Sequence, residues 1–308
     1  MFTKKGPGLI ATFLKYKYLY MLIAPAVIFV FAFQYATWFG IVTAFQKFDI
    51  VKGLFRSDFV GFDNFIQIFK TPKFLFAIKN TLIYSAVNLF CGFPFPVILA
   101  ILFNEMRTGF FKRFTQTVSY LPHFISWISV ITMFYAFFSL EGGFNDLRAA
   151  IYGAGVEKIN ILTNANYFLP IIFLSNLWKN VGWNTVIFLA AITGISPALY
   201  EAAKVDGCGK LRQIWHVTLP GIANTVVIVF IISIGGLLNS NFEQVFGFQN
   251  IYIQEKTEVI STLVYRQGIL GGNYSLATAF GLAQGLVSFL LVFCANKISK
   301  KISGIGLW

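Results

Sequence analysis

The sequence predicts an all-α, polytopic membrane protein with six transmembrane helices and with both termini in the cytoplasm. Three observations carry this expectation. Of 308 residues, 57% are apolar and only 12% charged, and the mean hydropathy is +0.71, well outside the usage of soluble domains. Six nearly charge-free stretches each reach the roughly 20 apolar residues that a hydrocarbon core of about 30 Å demands. The basic residues are unevenly shared between the segments joining those stretches, which fixes orientation by the positive-inside rule.

The first span is expected at 19–46, behind Lys4, Lys5, Lys15 and Lys17. This basic start resembles the n-region of a signal peptide, but the apolar stretch far exceeds a cleavable core of about 7 to 15 residues, so it reads as a retained span. The second span, 80–104, contains Gly92, Pro94 and Pro96. These should kink or break it, because proline removes a backbone donor and clashes with the preceding turn, and such breaks persist in a membrane only where protein or a cavity surrounds them. Spans three to six follow at 114–138, 167–193, 218–241 and 273–296. Gly281 and Gly285 in the last have the small-xxx-small spacing that permits close helix approach.

The order gives a single six-helix membrane domain, 19–296, between short cytoplasmic segments 1–18 and 297–308. With the N-terminus inside, the inner segments hold thirteen Lys/Arg against three acids, Glu105, Glu201 and Asp206, whereas the outer segments hold ten against nine. The longer outer segments, 47–79, 140–166 and 242–272, read either as solvated loops or as short helices set against an external partner.

The net charge of +12 does not indicate nucleic acid, because the basic residues lie beside apolar segments and form no folded basic domain. Cys91, Cys208 and Cys294 are far apart and His123 and His216 are isolated, so neither a disulfide framework nor a metal site is expected.

The most informative segment is the inner loop between spans four and five, 196–220. Ser196 can cap a helix, Pro197 suits its first turn, and Gly207 offers the left-handed residue that ends it. Ala202 and Ala203 keep one face flat, while Leu211, Ile214 and Trp215 give a second helix an apolar side. By shape this is a docking element. The segment Glu201-Ala202-Ala203, three residues, Gly207, nine residues, Val217, one residue, Leu219-Pro220 resembles the signature loop of the permease subunits of binding-protein-dependent ABC importers. The family pattern has Ile where Val217 stands, a conservative departure.

The resemblance covers nearly the whole chain and is closest to the carbohydrate, maltose-transporter-like group of type I permeases. Trp178-Lys179-Asn180-Val181-Gly182-Trp183, the stretch 239–248 and the terminal Ser303-Gly304-Ile305-Gly306-Leu307-Trp308 look like the branch for oligosaccharides derived from complex polysaccharides or glycans. It implies a multi-pass permease in the bacterial inner membrane, surrounded by lipid, and paired with a second homologous permease. Two cytoplasmic ATPase subunits and an extracellular or periplasmic sugar-binding protein complete the complex. It also implies that Glu201, Ala202, Ala203, Asp206, Gly207, Leu219 and Pro220 couple this chain to an ATPase. ATP and Mg are then bound by those partners. The chain's own content agrees: a phosphate-cradling loop needs G-x-x-x-x-G-K-[ST], and the one near-miss, Gly207-Cys208-Gly209-Lys210-Leu211, has the wrong glycine spacing. No cofactor and no enzymatic activity are expected here.

Two other functions are weaker. An ion-coupled secondary transporter commonly places acids at membrane depth, but all twelve Asp/Glu fall in loops or at span ends. An intramembrane enzyme should show H-E-x-x-H, paired aspartates or a facing Ser/His pair, and none stands out; His123, beside Pro122, suits a helix start or interface. Sugars present hydroxyl edges and weakly polar C–H faces, so amides and rings in an apolar-walled cavity are suitable partners. The candidate contacts are Trp178, Lys179, Trp183, Asn184, Asn239, Asn241, Phe242 and Gln244. Lys179, the one charge within a span, either satisfies carbonyls freed where Asn180 and Gly182 weaken span four or faces the cavity and an acidic sugar.

Overall fold

A computed structural model describes residues 14–153 and 155–308; most of the expected cytoplasmic segment 1–18, with Lys4 and Lys5, lies outside them. Among the described residues, five helices are long and apolar enough to cross a membrane: Lys17–Phe45, Pro72–Glu105, Trp127–Tyr152, Lys210–Gly235 and Tyr274–Ser303. A sixth is counted when Ala165–Thr193 is taken with Pro197–Val205, to which it turns by 69°. The β content described is a two-residue antiparallel pairing of Gln46 with Phe59 and Lys47 with Asp58. Beside it, the Asp58 carboxylate accepts from Lys52 at 2.9 Å, and that hydrogen bond raises the lysine above its ordinary range.

Several boundaries differ from expectation for identifiable reasons. Span two begins at Pro72, which takes the first helical position, where a proline's missing N–H has no intrahelical partner to lose; Lys73 and Lys79 had hidden this turn. Its expected break is a π-helical stretch, Asn88–Gly92, running into the helix Pro94–Glu105. The wide turn accommodates Pro94 without ending the span. Span three, expected to be continuous, is broken: the helix Phe110–Tyr120 passes into a 3-10 turn, Leu121–Phe124, before Trp127–Phe138. Pro122 lies in that turn, and Ser126 starts the new helix by accepting from Ser129 N–H at 3.2 Å.

Span four, in contrast, is unbroken from Phe168 to Thr193, so Asn180 and Gly182 do not weaken it. Gly182 serves close approach: a Cβ there would stand 1.9 Å from the backbone oxygen of Ser119 in span three. Span five starts earlier than hydropathy indicates, because the inner loop's second helix, Lys210–Gln213, continues through a π-helical stretch, Ile214–Thr218, into Leu219–Gly235. Gly281 and Gly285 meet nothing within 4 Å, so their spacing is not used within this chain. The outer segments are largely helical, with Asp63–Lys70, Gly143–Tyr152, Phe242–Phe248 and Ile260–Val264.

Of three apolar clusters among the described residues, two flank the middle of the membrane domain. One gathers Tyr84, Phe168, Ile171 and Ile172 with Val245 and Phe248 of the segment after span five. The other, toward the 196–220 loop, packs Val97 and Ala100 against Phe188, Ile192 and Ile222. Burying a side chain of this size contributes about 1.5–3 kcal/mol, so each cluster fixes its end of spans two and four. Between them packing is incomplete, and a cavity remains. The first span joins the packing at its far end: Ala44 is buried in a third cluster with Phe74, Leu276 and Phe280, whereas no residue of Lys17–Val30 is buried, which leaves that apolar surface to lipid or to another chain.

Candidate functional site

Two features stand apart from the packing, an exposed helix–turn–helix at one end and a cavity in the interior. The first begins where span four ends. Pro197 opens the helix Pro197–Val205 with Ser196 at the capping position, but the serine side chain makes no capping bond; its backbone oxygen accepts from Leu199 N–H at 3.1 Å instead. Gly207 ends the helix with φ +72°. Cys208 N–H bonds Ala203 O at 2.8 Å and Gly207 N–H bonds Lys204 O at 3.0 Å, the paired pattern of a left-handed helix stop. Glycine is required there by backbone conformation alone, since a Cβ would meet nothing within 4 Å.

Around this turn the surface is unusually apolar for a polar end of a protein. Leu199, Val205, Leu211 and Trp215 are 55%, 89%, 73% and 68% exposed. Glu201, Ala202, Asp206 and Gly207 are exposed and Ala203 is half-buried. Glu201 lies beyond the first helical turn, which holds no acid, so the helix dipole does little for it. Leu219 packs on the cluster of Ile192 and Ile222, and Pro220 sits at the start of Leu219–Gly235. Lys210 ties the element to the end of span two through Glu105 at 2.6 Å, and Tyr200 and Thr218 hydroxyls meet at 3.0 Å.

The cavity encloses about 700 Å³ between spans two, four and five and the segment that follows. Of the candidate contacts, Trp183, Asn184, Asn239, Asn241 and Gln244 line it, whereas Trp178, Lys179 and Phe242 do not. Some lining residues also have structural work. Asn241 caps Phe242–Phe248 by accepting from Gln244 N–H at 3.1 Å, Asn239 accepts from Gln284, and buried Gln244 donates to Ile172 O at 2.7 Å and Ser175 Oγ at 2.8 Å. Phe242 packs against Phe246 and Tyr265. Asn88, Asn176 and Asn180 line the cavity as well. They were missed, although the spacing of Asn176, Asn180 and Asn184 along one helix face is legible in the sequence.

Lys179 is turned away from this space. Only 5% exposed, its ammonium donates to Pro122 O at 3.3 Å, to His123 O at 2.7 Å and to Ile125 O, and lies 5.5 Å from the Trp127 ring centroid. The carbonyls it satisfies belong to the break in span three. A lysine ammonium has three N–H groups, and all three are committed here. Among the described residues no cluster of His, Cys, Asp or Glu could hold a metal ion.

Comparison with known proteins places the whole chain among transport permeases. Residues 92–303 match the family model of the binding-protein-dependent transport system inner membrane component. The chain is 40% identical over 305 residues to a polygalacturonan/rhamnogalacturonan transport system permease protein of Bacillus subtilis, covering 99% of this chain and 94% of that one. A crystal structure of a bacterial alginate ABC transporter, in complex with an alginate pentasaccharide-bound periplasmic protein, contains a chain that superposes with a TM-score of 0.87 at 34% identity, covering 98% of this chain and all of that one. A second structure, of a bacterial ABC transporter involved in importing the acidic polysaccharide alginate, gives 0.86 at 35%, over 96% of this chain and all of that one.

Proposed function

This chain belongs to the family of binding-protein-dependent transport system inner membrane components, and from that premise we propose that its cargo is an oligosaccharide derived from an acidic polysaccharide. It is a multi-pass permease subunit of an ABC importer, a transport component and not an enzyme. The oligosaccharide is delivered by an external binding protein and crosses through the cavity between spans two, four and five. The cargo class draws support from the relatives, whose names cite polygalacturonan, rhamnogalacturonan and alginate.

One observation carries the mechanism. A single helix, Lys210–Gly235, begins in the exposed element beside Gly207 and reaches the cavity wall at Val229 and Ser233. On this reading Glu201, Ala202, Ala203, Asp206 and Gly207 form the face that enters a cleft on an ATPase subunit, and Leu219 and Pro220 join that face to span five. Two ATPase chains bind ATP and Mg, and their closure is transmitted along this helix. A second permease supplies the other half of the pathway, which opens outward and then inward by alternating access. The termini and the docking element lie on the cytoplasmic side, in keeping with the basic bias of those segments.

The test is uptake of labelled trigalacturonate or an alginate trisaccharide by proteoliposomes holding both permeases and both ATPases, with the binding protein added outside. ATP-dependent accumulation that persists with an uncoupler is expected. Accumulation driven by an ion gradient without the ATPases would refute the ABC mechanism in favour of ion coupling.

A further inference from the structure

We infer, on the basis that the cargo is a carbohydrate, that Asn176, Asn180 and Asn184 form a ladder of oriented amides binding the cargo's hydroxyl groups, and that His123 is the residue that orients it. The three asparagines recur every fourth residue at mid-depth of span four, extend about 12 Å along its axis, and all line the cavity. Asn88, from the π-helical stretch of span two, lines it too.

A chain of hydrogen bonds joins them. Asn88 Nδ2 donates to Tyr84 O at 2.9 Å, Asn176 Nδ2 to Asn88 Oδ1 at 2.9 Å, and Asn180 Nδ2 to Asn176 Oδ1 at 2.7 Å. His123 Nδ1 lies 3.0 Å from Asn180 Oδ1. The polarity of the whole chain follows from its far end. Tyr84 O is a backbone carbonyl and can only accept, so Asn88 must present its amine there and its carbonyl to Asn176. The same choice then propagates through Asn176 and Asn180. His123 meets a carbonyl oxygen and must carry its proton on Nδ1.

Each amide in the chain uses one of two N–H groups and one of two lone pairs, which leaves one donor and one acceptor for the cavity. Asn184 makes no hydrogen bond within the chain among the described residues and offers its full complement. Among the described residues the wall contains no Asp, Glu, Lys or Arg, Lys179 being committed elsewhere. Such a surface suits groups that donate and accept at once, which hydroxyls do and carboxylates do not. Beside the ladder, Trp183 lines the cavity 44% exposed, stacked on His123 with centroids 4.7 Å apart and planes 1° apart. A flat apolar face next to fixed amides matches a sugar ring. A carboxylate on the cargo, being an acceptor alone, would use only the N–H half of each amide.

The test uses the complete importer in proteoliposomes. Its cargo is chosen by the melting shift of the binding protein with trigalacturonate, an alginate trisaccharide and arabinotriose. A neutral hit overturns the acidic assignment alone, and the ladder is then tested with that sugar. The double variant Asn180→Ala, Asn184→Ala should lower uptake about tenfold, the loss of one to two hydrogen bonds, while ATPase stimulation by the loaded binding protein stays within about twofold of wild type. His123→Asn places Nδ2 where Nδ1 was and should keep about half the uptake or more, whereas His123→Phe, a ring without the donor, should fall as the double variant does. Unchanged uptake in the double variant, or uptake and stimulation falling together, overturns the ladder. Equal loss in His123→Asn and His123→Phe overturns the role of His123.

Discussion

Replacing Lys179 by methionine separates a structural ammonium from a cargo-binding one. Methionine retains most of the stem and removes only the charge and its three donors. Those donors hold the carbonyls of Pro122, His123 and Ile125, where the 3-10 turn Leu121–Phe124 leaves span three without regular backbone pairing. A hydrogen bond to a charged group is worth about 1.5–3 kcal/mol, so three set an upper bound of about 5–9 kcal/mol. Relief from desolvating the ammonium opposes this, and each buried carbonyl left unpaired costs about 1–3 kcal/mol, which puts the net loss at about 3–5 kcal/mol. That is more than a hundredfold in the folded ratio. The assay is thermal melting of the purified complex in nanodiscs beside uptake in proteoliposomes, with a clear fall in melting temperature expected. A Lys179→Met complex that melts as wild type while uptake collapses would refute the reasoning and return the ammonium to the pathway.

Three further outcomes follow from the geometry. Gly207→Asp should leave the complex assembled, since the left-handed conformation costs a non-glycine residue about 1–2 kcal/mol and no atom lies within 4 Å of the new Cβ, yet it should abolish ATPase stimulation by loaded binding protein; full stimulation would mean that the face meets only solvent. Gly182→Ala has no such room, its Cβ falling 1.9 Å from Ser119 O, and should lower the melting temperature by prying spans three and four apart at a cost of about 1–3 kcal/mol or more; an unshifted melt would contradict that crossing. Glu105→Gln removes an ion pair whose partner Lys210 is 71% exposed, so stability should change by less than about 1 kcal/mol, as melting at low and high salt would reveal.

Much of this is legible in the sequence. Apolar stretches locate the spans, and the 196–220 segment announces its helix, glycine stop and second helix through Pro197 and Gly207, although the expected Ser196 side-chain cap is not made. The errors lie where hydropathy and backbone geometry part. Lys73 and Lys79 hid the start of span two, and Lys210 and Arg212 hid the start of span five, because a helix can extend past the apolar layer while hydropathy stops at it. Pro94 and Pro122 are the same residue type within apolar stretches of sequence, yet one is absorbed by a π-helical turn and the other accompanies a break. What decides is the set of partners brought from elsewhere, above all Lys179 on the carbonyls after Pro122, and no local pattern encodes that. Nor did single residues disclose the cavity. Asn184 stood out as polar, while Asn88 and Asn180 gain meaning only when spans two and four place them side by side.

The unbroken run from Lys210 to Gly235 has a mechanical consequence. Its 26 residues form a rod about 39 Å long, packed toward its loop end through Leu219 and Ile222 and lined up with the cavity at the other. Pivoting such a rod by about 10° near its loop end sweeps the far end through roughly 7 Å, more than one helical pitch. A modest push at Trp215 is therefore geared up into a displacement comparable to the width of a side chain at Ser233. The π-helical turn Ile214–Thr218 carries that push, so the stroke reaches the pathway only as far as this turn keeps its shape.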